Sequence, residues 1–313
     1  MHPILLRIPM PWGGAFEVKS YGFMIMCGFL LALWLGQRRA RRLGLDPTII
    51  FDAAVAVLLA GIVGSRLFYV IKEWDRFRGN PMEIIRIDRG GLVFYGGLIG
   101  GAIVLLWFVR RHKMPLLRVL DLACSVVPLA HAFGRVGCFL NGCCYGLLTQ
   151  SWAGMRFPRI LEPGNVDWPL LNVGNQHIVG SPPFVDQLQQ VPPLVASTAG
   201  WSLPVHPTQL YEVGYNLLIF AFLSYLLARR WREGEVAWFY AVLYGSARFV
   251  NEMYRAEPSV LFGLTIAQVI CLVLILLGFV MFLRGRRLPR QLLAEPWTPP
   301  AESRGRDKRG RKK

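Results

Sequence analysis

Seven stretches of this 313-residue chain, at 21–37, 50–71, 91–109, 116–134, 209–228, 236–254 and 262–283, are apolar and long enough to cross a bilayer. Crossing about 30 Å of hydrocarbon takes roughly 20 residues of helix. A lipid core offers no water to backbone N–H and C=O groups, so such runs are confined to structures that satisfy their own backbone, and at this length that means helices. The expected fold is an all-α integral membrane protein of about seven transmembrane helices, occupying residues 1–283. A hydrophobic content of 54% and a positive mean hydropathy exclude an ordinary soluble domain. The opening segment "MHPILLRIPMPWGGAFEVKS" has no basic stretch feeding an apolar core and a small-residue cleavage site, so it is not read as a signal peptide.

Charge predicts the orientation. Basic clusters at "QRRARR" (37–42), "RRHK" (110–113), "ARRWR" (228–232) and the C-terminal tail alternate across the runs as they should if all lie in the cytoplasm. The N-terminus is then external, and the C-terminus internal. The tail, 284–313, is basic, lacks apolar periodicity and reads as a disordered segment near anionic headgroups. With no folded nucleic-acid module beside it, the net charge of +16 does not imply nucleic-acid binding. The long connection 136–208 falls on the external side, is rich in Pro and Gly, and reads as a head or binding loop in which Trp152, Trp168 and Trp201 suit the interface.

Arginine inside a span costs several kcal/mol unless it has a partner or an aqueous pocket. Arg66 lies late in the second run, Arg135 closes the fourth and Arg248 lies in the sixth, and alternation puts all three in the outer half of the membrane. Tyr244, Arg248 and Glu252 are successive residues of one helical face, so Glu252 is placed to fix the guanidinium of Arg248. In "HPTQLYE" (206–212), His206, Gln209 and Glu212 fall on successive turns after a helix start. Guanidiniums, carboxylates, histidines and Asn141 at one external level of a helical bundle suit an anionic headgroup, and phosphate matches the planar fork of arginine.

Three of the six cysteines, Cys138, Cys143 and Cys144, fall together after Arg135. With His131 they make a conceivable zinc set, but the spacing departs from the usual pair of cysteines two to four residues apart, so no metal is assigned. A disulfide is open to them on an oxidising side. They read best as packing residues or free thiols. Within "GGLIGG" (96–101), close helix packing is the reading for Gly100 and Gly101 but not for the start of the run.

"GRVGCFLNGCCYG" (134–146) resembles the signature of bacterial prolipoprotein diacylglyceryl transferases, Gly-Arg-x-Gly-Asn-Phe-x-Asn-x-Glu-x-x-Gly. Gly134, Arg135, Gly137, Phe139, Asn141 and Gly146 match. "SYGFM" (20–24), "GSRLFYV" (64–70), "YGGLIGG" (95–101), "HPTQLYE" and the Tyr244, Arg248, Glu252 stripe extend the resemblance over most of residues 20–283. It implies a seven-span enzyme of the bacterial inner membrane. Such an enzyme moves the diacylglyceryl group of phosphatidylglycerol to the lipobox cysteine of a preprolipoprotein, releasing glycerol 1-phosphate without a cofactor. It also implies phosphate handling by Arg135 and Arg248, functional roles for Asn141, Gly146, Tyr21, Tyr244 and Glu252, and a pocket to which Arg66 belongs. Cys138 stands where the signature commonly has Asn and Cys143 where it commonly has Glu. Tyr95 stands where the third-span motif often has His, a candidate base, and a phenol does not inherit that role. His206, ahead of His131, is then a candidate proton acceptor.

Two other classes fit part of this pattern. A transporter or channel for an anionic solute would also need outer-half arginines, and a receptor would share the span count.

Overall fold

The computed structural model describes residues 2–10, 15–79, 81–86, 91–158, 170–173, 176–179, 181–190, 198, 200–229, 232–255 and 258–286. Its helices are α1 (Ser20–Arg42), α2 (Pro47–Lys72), the single turn α3 (Trp74–Phe77), α4 (Phe94–Arg111), α5 (Leu116–Asn141), α6 (Pro182–Gln190), α7 (Thr208–Ala228), α8 (Glu235–Glu252) and α9 (Ile266–Gly285). Two antiparallel hairpins accompany them, β1 (Ile4–Pro9) with β2 (Ala15–Lys19) and β3 (Leu170–Val173) with β4 (Gln176–Val179).

Among the described residues, six helices are long and apolar enough to cross a membrane: α1, α2, α4, α5, α7 and α9. The chain is therefore a multi-pass membrane protein. The helix at the sixth apolar run, α8, is not in that set, because its 18 residues include Glu235, Arg248 and Glu252. On α2, Leu59, Val63, Leu67 and Ile71 recur every turn and form one exposed stripe. On α9, Val273, Leu276, Leu277 and Phe279 are each more than half exposed. Apolar surface on this scale is costly in water and natural against lipid.

The helix ends follow local chemistry. Asp46 caps α2 by accepting the Thr48 N–H at 2.8 Å, with Pro47 in the first turn. Thr265 and Gln268 form a reciprocal capping box at the start of α9. At the end of α5, the Gly142 N–H donates to the Phe139 carbonyl (3.2 Å) and the Cys143 N–H to the Cys138 carbonyl (3.1 Å), with Gly142 at φ 78°. That pair of bonds with a left-handed glycine is a Schellman cap. Consequently α5 runs through Asn141, seven residues past the apolar run that marked it, and Arg135 is inside the helix.

The chain divides into two compact units. In Leu33–Ala123, α2 packs along α4 with backbones nearly touching: a Cβ added at Gly64 would lie 2.4 Å from the Gly96 carbonyl oxygen, and one at Gly100 2.6 Å from that of Ala60. Gly96 and Gly97 thus belong to the same seam as Gly100, and the start of "GGLIGG" is a packing feature too.

The other unit joins Met1–Ala32 to Cys124–Arg290. Its core is built on Ile219 and Leu223 of α7 and Val236 of α8, with Cys124, Tyr215, Tyr240 and Tyr244 packed around them. Within the connection 136–208, read as a loop, the described residues carry structure: Leu148 and Met155 bridge to Val205, the Phe157 N–H donates to Ser202 Oγ (2.9 Å), and Phe184 and Val185 of α6 pack with Leu188 and Leu203. Trp152 is almost wholly exposed and Trp201 about half, while Trp168 lies outside the described residues. The β1–β2 hairpin was not expected, since "ILLRIP" shows no alternation. It seats the start of α1, where the Ser20 N–H donates to the Pro3 carbonyl at 2.8 Å and its hydroxyl to that of His2. The tail beyond Arg286 lies outside the described residues.

Candidate active site

The last three turns of α5 carry "HAFGRVGCFLN". His131 and Arg135 are one turn apart, and the Arg135 Nε–H donates to His131 Nε2 at 3.2 Å. Opposite them stands Glu212 of α7, only 1% exposed. Its Oε2 is 2.7 Å from Arg135 Nε and 3.5 Å from His131 Nε2, and its Oε1 is 3.7 Å from Arg248 Nη1 of α8 and accepts from Asn251 Nδ2 at 3.0 Å. A carboxylate so placed in an apolar helix is tolerable only because charged and polar donors surround it.

Arg248 also pairs with Glu252, Nη1 to Oε2 at 2.5 Å, as the four-residue spacing predicts. Glu252 is fixed in turn by Thr265, whose hydroxyl donates to Oε1 at 3.2 Å, and lies 3.8 Å from Arg255. Tyr244 stacks on Tyr240 (5.4 Å between ring centroids) and meets His131 (5.5 Å) and Tyr215 (6.4 Å). Arg135 and Arg248 thus stand against Glu212 and Glu252, two guanidiniums held by two buried carboxylates, with Arg255 beside Glu252.

A cavity of about 760 Å³ adjoins this network. Tyr211, Tyr215, Leu243, Ala247, Val250 and Tyr254 give it a mainly apolar wall, and Asn251, the partner of Glu212, lines it as well. His206 is also at its wall. The His206 ring contacts the Tyr211 hydroxyl (Nδ1 to Oη, 3.1 Å) and packs on Tyr254 at 4.9 Å. Since α7 starts at Thr208, His206 precedes the helix and does not share the Gln209 and Glu212 stripe.

Gly146 sits where three segments cross. Its N–H donates to the His206 carbonyl (2.9 Å), the next N–H donates to that of Tyr254 (2.8 Å), and a Cβ here would meet the Tyr254 oxygen at 2.4 Å. Only glycine fits such an approach. Tyr21, in the first turn of α1, lies against Gly137, where a Cβ would come within 3.2 Å of its ring. Asn141 ends α5 beside the cysteines. Next in the chain, Tyr145 bonds Asp186 of α6; burial first, then the neighbouring carboxylate, raises the phenol above its ordinary pKa.

The three sulfurs of Cys138, Cys143 and Cys144 all lie within 4.8 Å of one another. The Schellman cap brings Cys138 and Cys143 together, as it commonly does for residues at those two positions. Cys144 adopts φ 61°, a conformation costing a β-carbon residue about 1–2 kcal/mol. Gln209 Nε2 and the Thr208 hydroxyl hold this turn by donating to the Cys143 and Cys144 carbonyls, each at 2.7 Å.

Two residues expected at the site lie in the other unit. Arg66 gives its Nε, Nη1 and Nη2 hydrogens to the carbonyls of Ile84 (2.9 Å), Gly91 (3.1 Å) and Glu83 (2.6 Å), so it secures the connection between α2 and α4. Tyr95 is in the first turn of α4, partly exposed and edge-on to Phe94 at 5.8 Å. Glu212 was read from the sequence only as part of the His206, Gln209 and Glu212 stripe, and Arg255, which lies beside Glu252, was not singled out.

A family model described as prolipoprotein diacylglyceryl transferase matches residues 7–284. A phosphatidylglycerol–prolipoprotein diacylglyceryl transferase of Symbiobacterium thermophilum is 32% identical over 291 residues, covering 92% of this chain and 94% of that protein. One of the same name from Streptococcus agalactiae serotype Ia is 32% identical over 289 residues, covering 92% and 97%. Another from Clostridium tetani is 29% identical over 283 residues, covering 90% and 97%. With the match running from β1 to the end of α9, through every helix that builds the arginine network, the chain belongs to the prolipoprotein diacylglyceryl transferase family.

Proposed function

We propose that in this diacylglyceryl transferase Arg135 and Arg248 hold the phosphate of phosphatidylglycerol while the acceptor cysteine of a prolipoprotein attacks. The carrying observation is the pair of guanidiniums oriented by two buried carboxylates, set beside a mainly apolar cavity. A phosphodiester suits planar guanidiniums already held in place, and acyl chains suit the apolar wall. In the reaction the thiolate sulfur bonds to the glycerol carbon attached to phosphate. The carbon–oxygen bond breaks, its electron pair passes to the phosphate oxygen, and glycerol 1-phosphate departs. The thiol proton is given up before or during attack. Because a second charge grows on the leaving phosphate, guanidiniums already fixed by Glu212 and Glu252 stabilise the transition state more than the ground state.

Asn141, Tyr21 and Tyr244 offer an amide and hydroxyls near these arginines, and Gly146 keeps the crossing of segments closed behind them. Arg66 acts through the connection it secures, and Tyr95 contributes a hydroxyl as a hydrogen-bond donor and not as the base. His206, at the cavity wall, is placed to take a proton from the acceptor. In the cell the protein lies in the bacterial inner membrane, N-terminus outside and C-terminus inside, with α8 as a seventh span whose charges face protein. The region 136–208 is then an external head over the site, where translocated precursors arrive.

Purified protein in detergent, given phosphatidylglycerol and a lipobox peptide, should yield thioether-linked diacylglyceryl peptide and equimolar glycerol 1-phosphate. Equal transfer from a neutral diacylglycerol donor would overturn the phosphate role of the arginines. Flux of an anionic solute through reconstituted vesicles, with no thioether formed, would favour the transporter reading.

A further inference from the structure

The three thiols after Arg135 converge in a way that packing does not require. All are free, Cys138 is buried and Cys143 and Cys144 are partly so, and their sulfurs lie within 4.8 Å of one another. We propose that Cys138, Cys143 and Cys144 bind one thiophilic divalent cation of the Zn²⁺ type through three thiolates, leaving a fourth tetrahedral position open.

Geometry supports this against the alternatives. Thiolates held about 2.3 Å from one cation in a tetrahedral arrangement stand about 3.8 Å apart, so these sulfurs need to close by no more than about 1 Å. The Schellman cap folds the four-residue gap that, along the sequence, looks wrong for a metal site. It places Cys138 and Cys143 side by side, while the left-handed turn at Cys144 adds the third sulfur to the same point. That turn is costly for a cysteine, and the Gln209 and Thr208 hydrogen bonds hold it. Backbone pinned by a neighbouring helix is the support a metal site needs to keep its ligands in place before the cation arrives.

A disulfide explains less. Adjacent residues have Cα atoms about 3.8 Å apart, below the span that a disulfide prefers, which disfavours Cys143 with Cys144. A bond from Cys138 to either one would leave the third sulfur without a purpose at the shared point. Ordinary packing of small apolar residues would be served as well by alanine and would not call for a strained turn.

The test uses the full-length protein in detergent, reduced, treated with a chelator and then titrated with Co²⁺. One Co²⁺ per chain should bind with intense sulfur-to-cobalt charge-transfer absorption, and Zn²⁺ should displace it. Cys143→Ser and Cys144→Ser should each lose most of that absorption, while Cys271→Ser, altered in α9, should keep it. Elution as a single species on size exclusion would show that the variants remain folded. No charge-transfer band in reduced wild-type protein would overturn the proposal. So would binding retained by the Cys143→Ser, Cys144→Ser double variant, or a Cys138 disulfide found by mass spectrometry in protein isolated without reductant. The readout does not depend on transferase activity, so failure of the metal reading and failure of the phosphate reading can be told apart.

Discussion

Glu212→Gln tests the network at its centre, since among the described residues Glu212 is the one carboxylate in contact with both Arg135 and Arg248. At an effective dielectric of about 20, a pair at 2.7 Å attracts by about 6 kcal/mol and one at 3.7 Å by about 4.5 kcal/mol. Desolvating a carboxylate that is 1% exposed cancels much of that gain. The measurable effect is what remains when the cations lose their partner, about 3–5 kcal/mol for a buried pair. Part of it is recovered, because Arg135 and Arg248 keep some contact with solvent and Arg248 keeps Glu252. A loss of about 2–4 kcal/mol in transition-state stabilisation remains, or about 30- to 1,000-fold in kcat/KM for phosphatidylglycerol. Glutamine preserves the shape and the bond to Asn251, so a folded protein is expected, with a lower Tm in detergent. Glu252→Gln should lose less, because Arg248 then still has Glu212. Thioether formation measured against lipid concentration gives both numbers. A Glu212→Gln enzyme within threefold of wild type, with an unchanged Tm, would refute the view that this carboxylate organises the arginines.

Arg248→Lys should fail nearly as badly as Arg248→Ala, because an ammonium cannot span Glu212, Glu252 and a phosphate as the planar fork does; near-normal turnover of the lysine variant would reduce Arg248 to a bulk charge. Tyr95→Phe should keep activity to within about tenfold and leave the pH profile in place, since a phenol hydroxyl is better suited to donate a hydrogen bond than to accept a proton; a shifted basic limb in this variant but not in His206→Gln would reverse the ranking. Gly146→Ala should lower the Tm and the activity together, because the new Cβ can leave the Tyr254 oxygen only by breaking the Gly146 and Leu147 bonds, and overpacking of this kind costs about 1–3 kcal/mol; an unchanged Tm would show that the crossing is looser than its distances. Gly64→Val should separate α2 from α4 and reduce the yield of folded protein, and a wild-type yield would argue against the glycine seam.

The helices were legible because their signals are local. Apolar runs, the basic clusters between them, and the Tyr244, Arg248, Glu252 stripe each lie within a few turns of one segment. The end of α5 was legible in principle: Asn141–Gly142 is a helix stop, and reading it as such moves Arg135 inside the helix and makes neighbours of Cys138 and Cys143. What sequence spacing could not supply were the partners from distant segments. Arg66, a guanidinium in a span that needs company, donates to backbone carbonyls at 83, 84 and 91, which carry no side-chain signature.

Glu212 shows the limit from the other side. A carboxylate near the start of an apolar run carries the same cost as the arginines and merits the same question, yet its answer lies on two other helices, at His131 and Arg135 of α5 and at Arg248 and Asn251 of α8. The same arrangement explains why α8 is too polar to qualify as a span by composition. Glu252 and Asn251 are buried in protein and Arg248 is nearly so, partnered by Glu212 of α7 and by Thr265 at the start of α9, and their mutual compensation makes that helix tolerable in a membrane protein. Polarity that looks like a defect along one helix is a compensated network when three helices are taken together.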